Sequence, residues 1–189
     1  DKLILQIPKF KNEKIGLVYS NFYKYYNNDT KKIAFKNKLP CGKVTGSIIK
    51  NYQIGILTVV IRKSFLKNNQ LFDYKYDLLS DFDFILNFSL KYNFFGINQP
   101  LASYRIHPNQ LQKENLVLQA KQFCEWVARK KIKKKYKKYN LSTIIKKYDY
   151  YNLVKELNNS KIKLFFRSFK RLSFLQFIKI SAFIFLPRK

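Results

Sequence analysis

Short apolar runs alternate with polar, turn-rich stretches along the first part of the chain. The run at 15–19 (IGLVY) and the β-branched run at 55–61 (GILTVVI) are typical of buried strands. A further strand is predicted at 94–104, with an interruption at Gln99–Pro100. Residues 21–38 are rich in Asn, Lys and Tyr, which favours an exposed loop or an irregular hairpin.

Two helices are predicted among these strands, a short one at 47–52 and a longer one that begins near Ser80. Ser80 is a good N-cap, and Asp81 and Asp83 fall in the first turn, where carboxylates suit the positive end of the helix dipole. The apolar positions of this helix predict a broad buried face: Phe84, Ile85 and Phe88. The alternation of strands and helices over 15–110 predicts an α/β layer structure.

The composition changes after about residue 111. A long helical pattern passes through Trp126, expected to be a packing anchor with a sugar-stacking role as the alternative, into the basic block 129–139 (RKKIKKKYKKY). The last segment, 160–189, contains no acid and mixes Phe, Leu and Ile with Lys and Arg. Its apolar part is shorter than the ~20 residues of a spanning helix. It therefore predicts an amphipathic helix on an anionic membrane, or alternatively a helix packed on the domain or on a partner.

The charge and the cysteine content bear on the partners, the metal sites and the disulfides that the chain could have. Lys and Arg number 38 against 11 Asp and Glu, which gives a formal net charge of +27 and favours phosphate-rich partners. An AT-rich genome is an alternative source of this Lys excess. The sequence has no nucleic-acid recognition motif, so no nucleic-acid partner is expected. Cys41 and Cys124 fit neither a disulfide framework nor a zinc site, and a reducing cytosolic setting is expected.

Four segments follow one another in an order that suggests a known family. They are the stretch 1–19 (Asp1-Lys2-Leu3, Gln6, Phe10 and IGLVY), GILTVVIRK at 55–63 with Phe72–Asp73, SDFDF at 80–84 with Leu86, and 99–109 with its Pro100-Leu101 and Tyr104-Arg105-Ile106-His107. The first resembles the helix and strand after the metal-binding Asp-x-Asp of family-2 glycosyltransferases. The others are similar to that family's strand with a basic pair and Phe-Asp turn, its acidic pair at a helix start, and its closing P-L-x-x-Y-R-x-H-x-x-N stretch.

The resemblance implies a fold and a domain organisation. Residues 1–112 would form the C-terminal, acceptor-side part of a GT-A glycosyltransferase domain, a partial Rossmann-like mixed sheet with flanking helices. Residues 113–159 would form a helical basic extension, and 160–189 an amphipathic, membrane-interfacial tail. Because the family's Asp-x-Asp is absent and the chain begins at Asp1 without any Met, we expect a fragment that is inactive without an upstream donor-binding half.

The resemblance also implies roles for single residues. Asp81 matches the general base that deprotonates the acceptor hydroxyl, and a carboxylate held at a helix start suits that role. Arg105 and Asp83 would assist substrate or diphosphate binding, with Asp83 as an orienting carboxylate, and His107 would help to hold the metal. Ser80 departs from the pattern, because the family usually has Glu there.

Simpler interpretations of these residues remain open. Asp81 and Asp83 together form a literal Asp-x-Asp, but they open an amphipathic helix rather than follow an apolar strand, which favours the base. Acids in a first helical turn are also common as partners of the helix dipole. His107 could be an ordinary loop residue, and Arg105 could pair with a surface acid.

The predicted function is that of an inverting glycosyltransferase in surface polysaccharide biosynthesis. It would move a sugar from a nucleotide-sugar donor to a glycan or lipid-linked acceptor with Mg²⁺ or Mn²⁺. The expected location is the cytoplasm, peripheral on the inner face of the membrane. The alternative is a basic protein that binds nucleic acid or an anionic membrane without catalysis.

Overall fold

The computed structural model describes residues 1–26, 30–66, 72–107, 116–129 and 132–159. Contacts between Cα atoms divide the chain into two compact units, Asp1–Gln110 and Leu111–Lys189. Each unit has its own buried side chains.

The first unit combines a small sheet with helices. In chain order, its helices and strands are α1 (Lys2–Gln6), β1 (Ile15–Tyr26), β2 (Lys31–Ile33), α2 (Thr45–Lys50), β3 (Val60–Ile61), α3 (Ser80–Ser89) and β4 (Asn93–Ile106). Single 3₁₀ turns occupy Ile7–Lys11, Ile56–Thr58 and Lys63–Phe65. The predicted α/β layer structure is therefore confirmed.

Strand β1 is the centre of the sheet. It pairs in parallel with β4 from Ile15 to Tyr26, and antiparallel with β3 near its start and with β2 near its end. Because β4 follows one edge of β1 along its whole length, β2 and β3 must share the other edge. The sheet is thus mixed, as expected, with helices flanking it.

Strand β4 is irregular in its middle. Ser20 pairs with Ile97 but the next residue of β1, Asn21, pairs with Pro100, so two extra residues of β4 bulge out of the ladder. One of them, Asn98, accepts the Leu39 N–H on its Oδ1 at 2.8 Å. The strand continues through the predicted interruption at Gln99–Pro100, where the structure has a bulge at 98–99, and pairing resumes at Pro100.

The predicted strand at 55–61 is wrong over most of its length. Residues Ile56–Thr58 form a 3₁₀ turn, and only Val60–Ile61 belongs to the sheet. The Thr58 N–H and hydroxyl both donate to the Gly55 carbonyl, at 2.9 and 2.7 Å, which closes a local turn in place of a ladder. The side-chain amide of Gln6 then donates to the Thr58 carbonyl at 2.7 Å and ties this turn to α1.

Residues 21–38 were predicted to form an exposed loop or an irregular hairpin, and the structure contains a hairpin there. Strand β1 continues through Tyr26 and pairs with β2, for example Tyr23 with Ile33. Its first residues are not exposed, since Asn21 and Phe22 are buried. Burial of the polar Asn21 side chain is possible because both of its polar atoms are hydrogen-bonded. Its Nδ2 donates to the Phe35 carbonyl, and its Oδ1 accepts the Phe35 N–H.

The core of the first unit contains side chains from the sheet and from α2 and α3. Its most enclosed apolar members are Leu17, Val18, Tyr19, Leu39, Val44, Tyr76, Ile85, Leu86 and Phe94. Phe84 and Phe88 are also buried, as predicted. Phe72, by contrast, is 49% exposed, although its ring centroid lies 5.2 Å from that of Phe84.

The described part of the second unit contains three helices, α4 (Leu116–Arg129), α5 (Ile132–Lys135) and α6 (Ser142–Asn159). Trp126 is fully buried, which confirms it as a packing anchor, and Phe123 contacts both Trp126 and Tyr151. The Tyr151 hydroxyl donates to Gln119 at 3.0 Å, so α6 packs on α4. None of the described helices is long and apolar enough to cross a bilayer. The predicted interfacial tail at 160–189 lies outside the described residues.

Candidate active site

The start of helix α3 differs from the expected cap. The helix begins at Ser80, with Leu79 in the N-cap position, and no side chain caps it. The predicted Ser80 cap is therefore wrong by one position. In its place, the Oδ1 atom of Asp81 accepts the N–H of Phe82 at 2.7 Å, which satisfies one of the free donors of the first turn.

The surroundings of Asp81 favour proton uptake. Its carboxyl is half-buried, and this burial raises its pKa above the usual value. Hydrogen bonds from the backbone N–H groups of Phe82 and of Asp81 itself act in the opposite direction, but they are the smaller effect. A carboxylate with a raised pKa is a stronger base at neutral pH, as proton abstraction requires.

Tyr52 is the neighbour of Asp81 that the sequence did not indicate. It follows α2, and its ring meets the Phe82 ring edge-on, with centroids 5.2 Å apart and planes at 85°. Its hydroxyl is buried and has no hydrogen-bond partner among the described residues. Burial and, second, the charge of Asp81 raise the pKa of Tyr52, so the phenol stays neutral. No motif or spacing links residue 52 with residue 81, and only packing brings them together.

Asp83 has a different environment from Asp81, although both lie in the first turn of α3. It is buried, and its Oδ1 accepts the side-chain amide of Asn87 at 2.9 Å, one turn later on the same helix. Such a contact orients the carboxylate along the helix. The substrate-binding role predicted for Asp83 stays a prediction.

Arg105 and His107 lie at the far end of β4, and both are exposed. The Tyr92 N–H donates to Phe88 at 3.1 Å, so the strand starts where α3 ends. From Asp81 to the end of α3 is about 12 Å, whereas β4 runs on the order of 40 Å from its start to Arg105. Most of the strand therefore separates Asp81 from Arg105 and His107, and their diphosphate and metal roles stay predictions.

Arg62, the first residue of the predicted basic pair, binds backbone atoms of its own unit. Its guanidinium donates to the carbonyls of Ile15 at 3.1 Å, Asn12 at 3.3 Å and Phe10. It also lies over the rings of Phe10 and Phe65, 5.3 and 5.4 Å from their centroids. These contacts fix the 3₁₀ turn after α1 against the start of β1, which is a structural role.

The described residues contain no group of three or more His, Cys, Asp or Glu side chains placed to hold a metal ion. Asp81 and Asp83 could contribute oxygen ligands, but Asp83 is already bonded to Asn87 and His107 lies at the other end of β4. These side chains do not form a cation site by themselves.

No protein-family model, no curated protein and no solved structure matches the chain. Support for a function therefore comes from the geometry around Asp81 and from the four segments that resemble family-2 glycosyltransferases.

Proposed function

We propose that this chain is the acceptor-side part of an inverting glycosyltransferase of the GT-A type. The observation that carries the proposal is the carboxyl of Asp81, placed at the start of α3 with a pKa raised by burial. Asp81 takes the proton of an acceptor hydroxyl as its oxygen attacks the anomeric carbon of a nucleotide-sugar. The nucleoside diphosphate leaves from the opposite face with the bonding electron pair, so the configuration inverts.

The packing of α3 supports this role by keeping the base in one position. The Thr45 hydroxyl donates to the Ser89 carbonyl at 2.8 Å, and its oxygen lies 3.0 Å from the Ser89 hydroxyl, which has a closer acceptor in the Leu86 carbonyl at 2.7 Å. At the other end of α3, Tyr52 packs on Phe82. Two contacts with the α2 segment thus hold both ends of the helix that carries Asp81, and a fixed base lowers the cost of reaching the reactive geometry.

The mixed sheet is compatible with a GT-A domain but is shared with other α/β folds, so it gives weaker support than Asp81 does. In the proposed reaction, upstream residues hold the nucleotide. By the resemblance, Arg105 would offset the negative charge of the diphosphate, and His107 would supply an imidazole ligand to its Mg²⁺ or Mn²⁺. A glycan or lipid-linked acceptor and peripheral attachment to the inner membrane face through 160–189 belong to the same proposal.

The test uses the full reading frame that contains these 189 residues, with a panel of nucleotide-sugars and Mg²⁺ or Mn²⁺. Asp81→Asn keeps the size of the side chain and removes the base. We expect transfer to fall about 10²- to 10⁴-fold in this variant while donor binding survives. Asp77→Asn, at an exposed acid just before the helix, is the matched control and should keep full activity.

Two results would reject the proposal. One is an unchanged protein that binds no nucleotide-sugar in the panel. The other is an Asp81→Asn variant that transfers sugar as fast as the Asp77→Asn control does, since the base would then lie elsewhere.

A further inference from the structure

The ends of three strands form a ribbon at one end of the sheet. It contains 22–26 of β1, 30–33 with β2, and 103–106 of β4. Here the side chains are half-buried or exposed, apart from Phe22, which is buried. The ribbon is part of the first unit, and neither the fold nor the role of Asp81 requires its exposed side chains.

The strand register shows which of these side chains share a face. Lys24 pairs with Lys32 on one side and with Tyr104 on the other. Directly paired residues point to the same face, and alternate residues of a strand do so too. One face, which we call the lysine face, therefore presents Lys24, Tyr26, Lys32 and Tyr104.

Ring contacts on both faces agree with this register. The Lys32 ammonium lies 5.8 Å from the centroid of the Tyr26 ring on the lysine face. On the opposite face, the Lys31 ammonium lies 4.2 Å from the Tyr23 ring. Each contact places an ammonium group within the ~6 Å of a tyrosine ring centre over which cation–π attraction acts.

The lysine face has an energetic cost that the fold does not explain. Lys24 and Lys32 are directly opposite each other, and like charges in such a pair destabilise a sheet. The described part of the ribbon contains no acid to offset them. In the sequence, the one acid between Glu13 and Asp73 is Asp29, which lies outside the described residues. A bound anion that contacts both ammonium groups would remove this repulsion.

An aromatic surface lies beside the paired lysines. Tyr104 is 37% exposed, and its ring meets that of Phe22 edge-on with centroids 6.3 Å apart. Phe22 in turn packs edge-on against Phe35 at 5.6 Å. The Tyr104 ring is thus held in position by a buried neighbour while part of it faces solvent, which suits stacking against a flat apolar surface.

We propose that the lysine face binds an acidic glycan. A carboxylate or phosphate group of the glycan lies between Lys24 and Lys32, and a neighbouring sugar ring stacks on Tyr104. This inference rests on the proposed function, because the glycan would be the acceptor or the growing product of that reaction. It adds that the acceptor is anionic and that it is held far from Asp81, by residues other than the base.

A membrane surface fits the lysine face less well. Of the apolar side chains on the same side of the ribbon, Phe22 is buried and Ile106 is half-buried, and the exposed aromatic residue of the lysine face is Tyr104, whose hydroxyl favours water. Insertion into lipid would need large exposed apolar side chains. Single-stranded nucleic acid also combines charge with stacking, so it serves as a competing ligand in the test.

The test measures binding by the whole 189-residue chain, without donor, to an oligogalacturonate and to a neutral malto-oligosaccharide of equal length. We expect at least about a tenfold preference for the acidic glycan, lost in Lys24→Gln/Lys32→Gln and weakened about tenfold or more in Tyr104→Ala. The matched control is Lys134→Gln/Lys137→Gln, the same charge change at two exposed lysines of the second unit, which should bind as the unchanged chain does.

Thermal unfolding separates a lost site from a lost fold. Because repulsion is removed, the Lys24→Gln/Lys32→Gln variant should unfold at the same temperature as the unchanged chain or a higher one. Equal loss of binding in both double variants would overturn the inference, as would equal binding of acidic and neutral glycans. Tighter binding of single-stranded DNA or of anionic vesicles that depends on Lys24 and Lys32 would assign the face to those ligands and also overturn it.

The outcome is independent of catalysis. Binding that depends on the lysine face, in a protein without transferase activity, would reject the proposed function and keep the site. Sugar transfer that depends on Asp81, in a protein without glycan binding at the ribbon, would reject the site and keep the proposed function.

Discussion

The ring of Tyr52 meets that of Phe82 edge-on at 5.2 Å, and this contact places a buried phenol beside the carboxyl of Asp81. The environment of the candidate base is therefore set by packing between the end of the α2 segment and the start of α3. The Tyr52 hydroxyl lacks a hydrogen-bond partner within the described part of the chain, which is an energetic cost.

Removal of that hydroxyl should stabilise the protein. A buried polar group without a partner costs about 1–3 kcal/mol, so Tyr52→Phe, which keeps the ring contact with Phe82, should raise the free energy of unfolding by about 1 kcal/mol. Urea unfolding measures it. The companion variant Tyr52→Leu loses the ring contact and should be less stable than Tyr52→Phe. A Tyr52→Phe variant that loses 1 kcal/mol or more, on the order of a normal hydrogen bond, would show that the hydroxyl has a partner after all.

The raised pKa of Asp81 predicts a pH dependence of stability. In the unfolded chain the carboxyl titrates near its ordinary value of about 3.9, and in the folded protein it titrates higher, so the folded state binds more protons between the two values. In that window its contribution to stability falls as the pH rises. Asp81→Asn does not titrate, so its stability relative to the unchanged protein should increase as the pH rises from about 3.5 to 7.

Comparison of the two proteins at each pH cancels the effect of the other titrating groups. Urea unfolding at several pH values across that range provides the difference. If the Asn variant instead loses stability relative to the unchanged protein as the pH rises, the folded-state pKa of Asp81 is lowered and burial does not dominate its environment.

The parts of the fold that depend on local pattern were predictable. The buried run at 15–19 and the first turn of acids followed by Phe84 and Phe88 correctly indicated β1 and α3, because periodicity reports burial directly. The prediction of a strand at 55–61 was wrong because Thr58 closes a local turn on Gly55, and the β-branched pattern gives no sign of that turn. A local side-chain hydrogen bond of this kind competes with strand propensity and leaves no periodic signal.

Sequence analysis could identify the candidate base itself but not the residues that pack around it. Asp81 follows from its position at a helix start and from the resemblance of its flanking segments. Tyr52 could not be found this way, because its contact with Phe82 joins residues distant in sequence and depends on how α2 packs on α3. For the same reason, the sequence did not reveal how far Arg105 and His107 lie from Asp81. Most of β4 separates them from it.

The hydrogen bonds between Thr45 and Ser89 should contribute measurably to stability. Thr45→Val keeps the shape of the side chain but removes the donor to the buried Ser89 carbonyl, while the Ser89 hydroxyl keeps the Leu86 carbonyl as its acceptor. We expect a loss of about 1–3 kcal/mol in the free energy of unfolding. Ser47→Ala, at an exposed position of the same helix, is the control and should change it by less than about 0.5 kcal/mol. Equal effects of the two substitutions would show that the Thr45 pair is not formed in solution.

The close approach of β4 to the segment at 39–40 predicts the effect of a substitution at Gly96. A Cβ atom there would lie 2.7 Å from the Cβ of Leu39 and 2.9 Å from the Pro40 carbonyl oxygen. Neither neighbour can move easily, because the Leu39 N–H is bonded to Asn98 and the Pro40 carbonyl accepts the Tyr19 hydroxyl at 2.8 Å. Gly96→Ala should therefore destabilise the first unit by about 1–3 kcal/mol, the usual cost of overpacking.

Gly46 provides the matched control for Gly96. It is exposed in α2, where alanine has the higher helix propensity, so Gly46→Ala should stabilise the protein by about 0.5–1 kcal/mol. The same substitution should thus have opposite signs at the two glycines when urea unfolding is measured for both. A Gly96→Ala variant as stable as the unchanged protein would mean that Leu39 and Pro40 do not lie against β4, and the packing of this segment against the sheet would need to be revised.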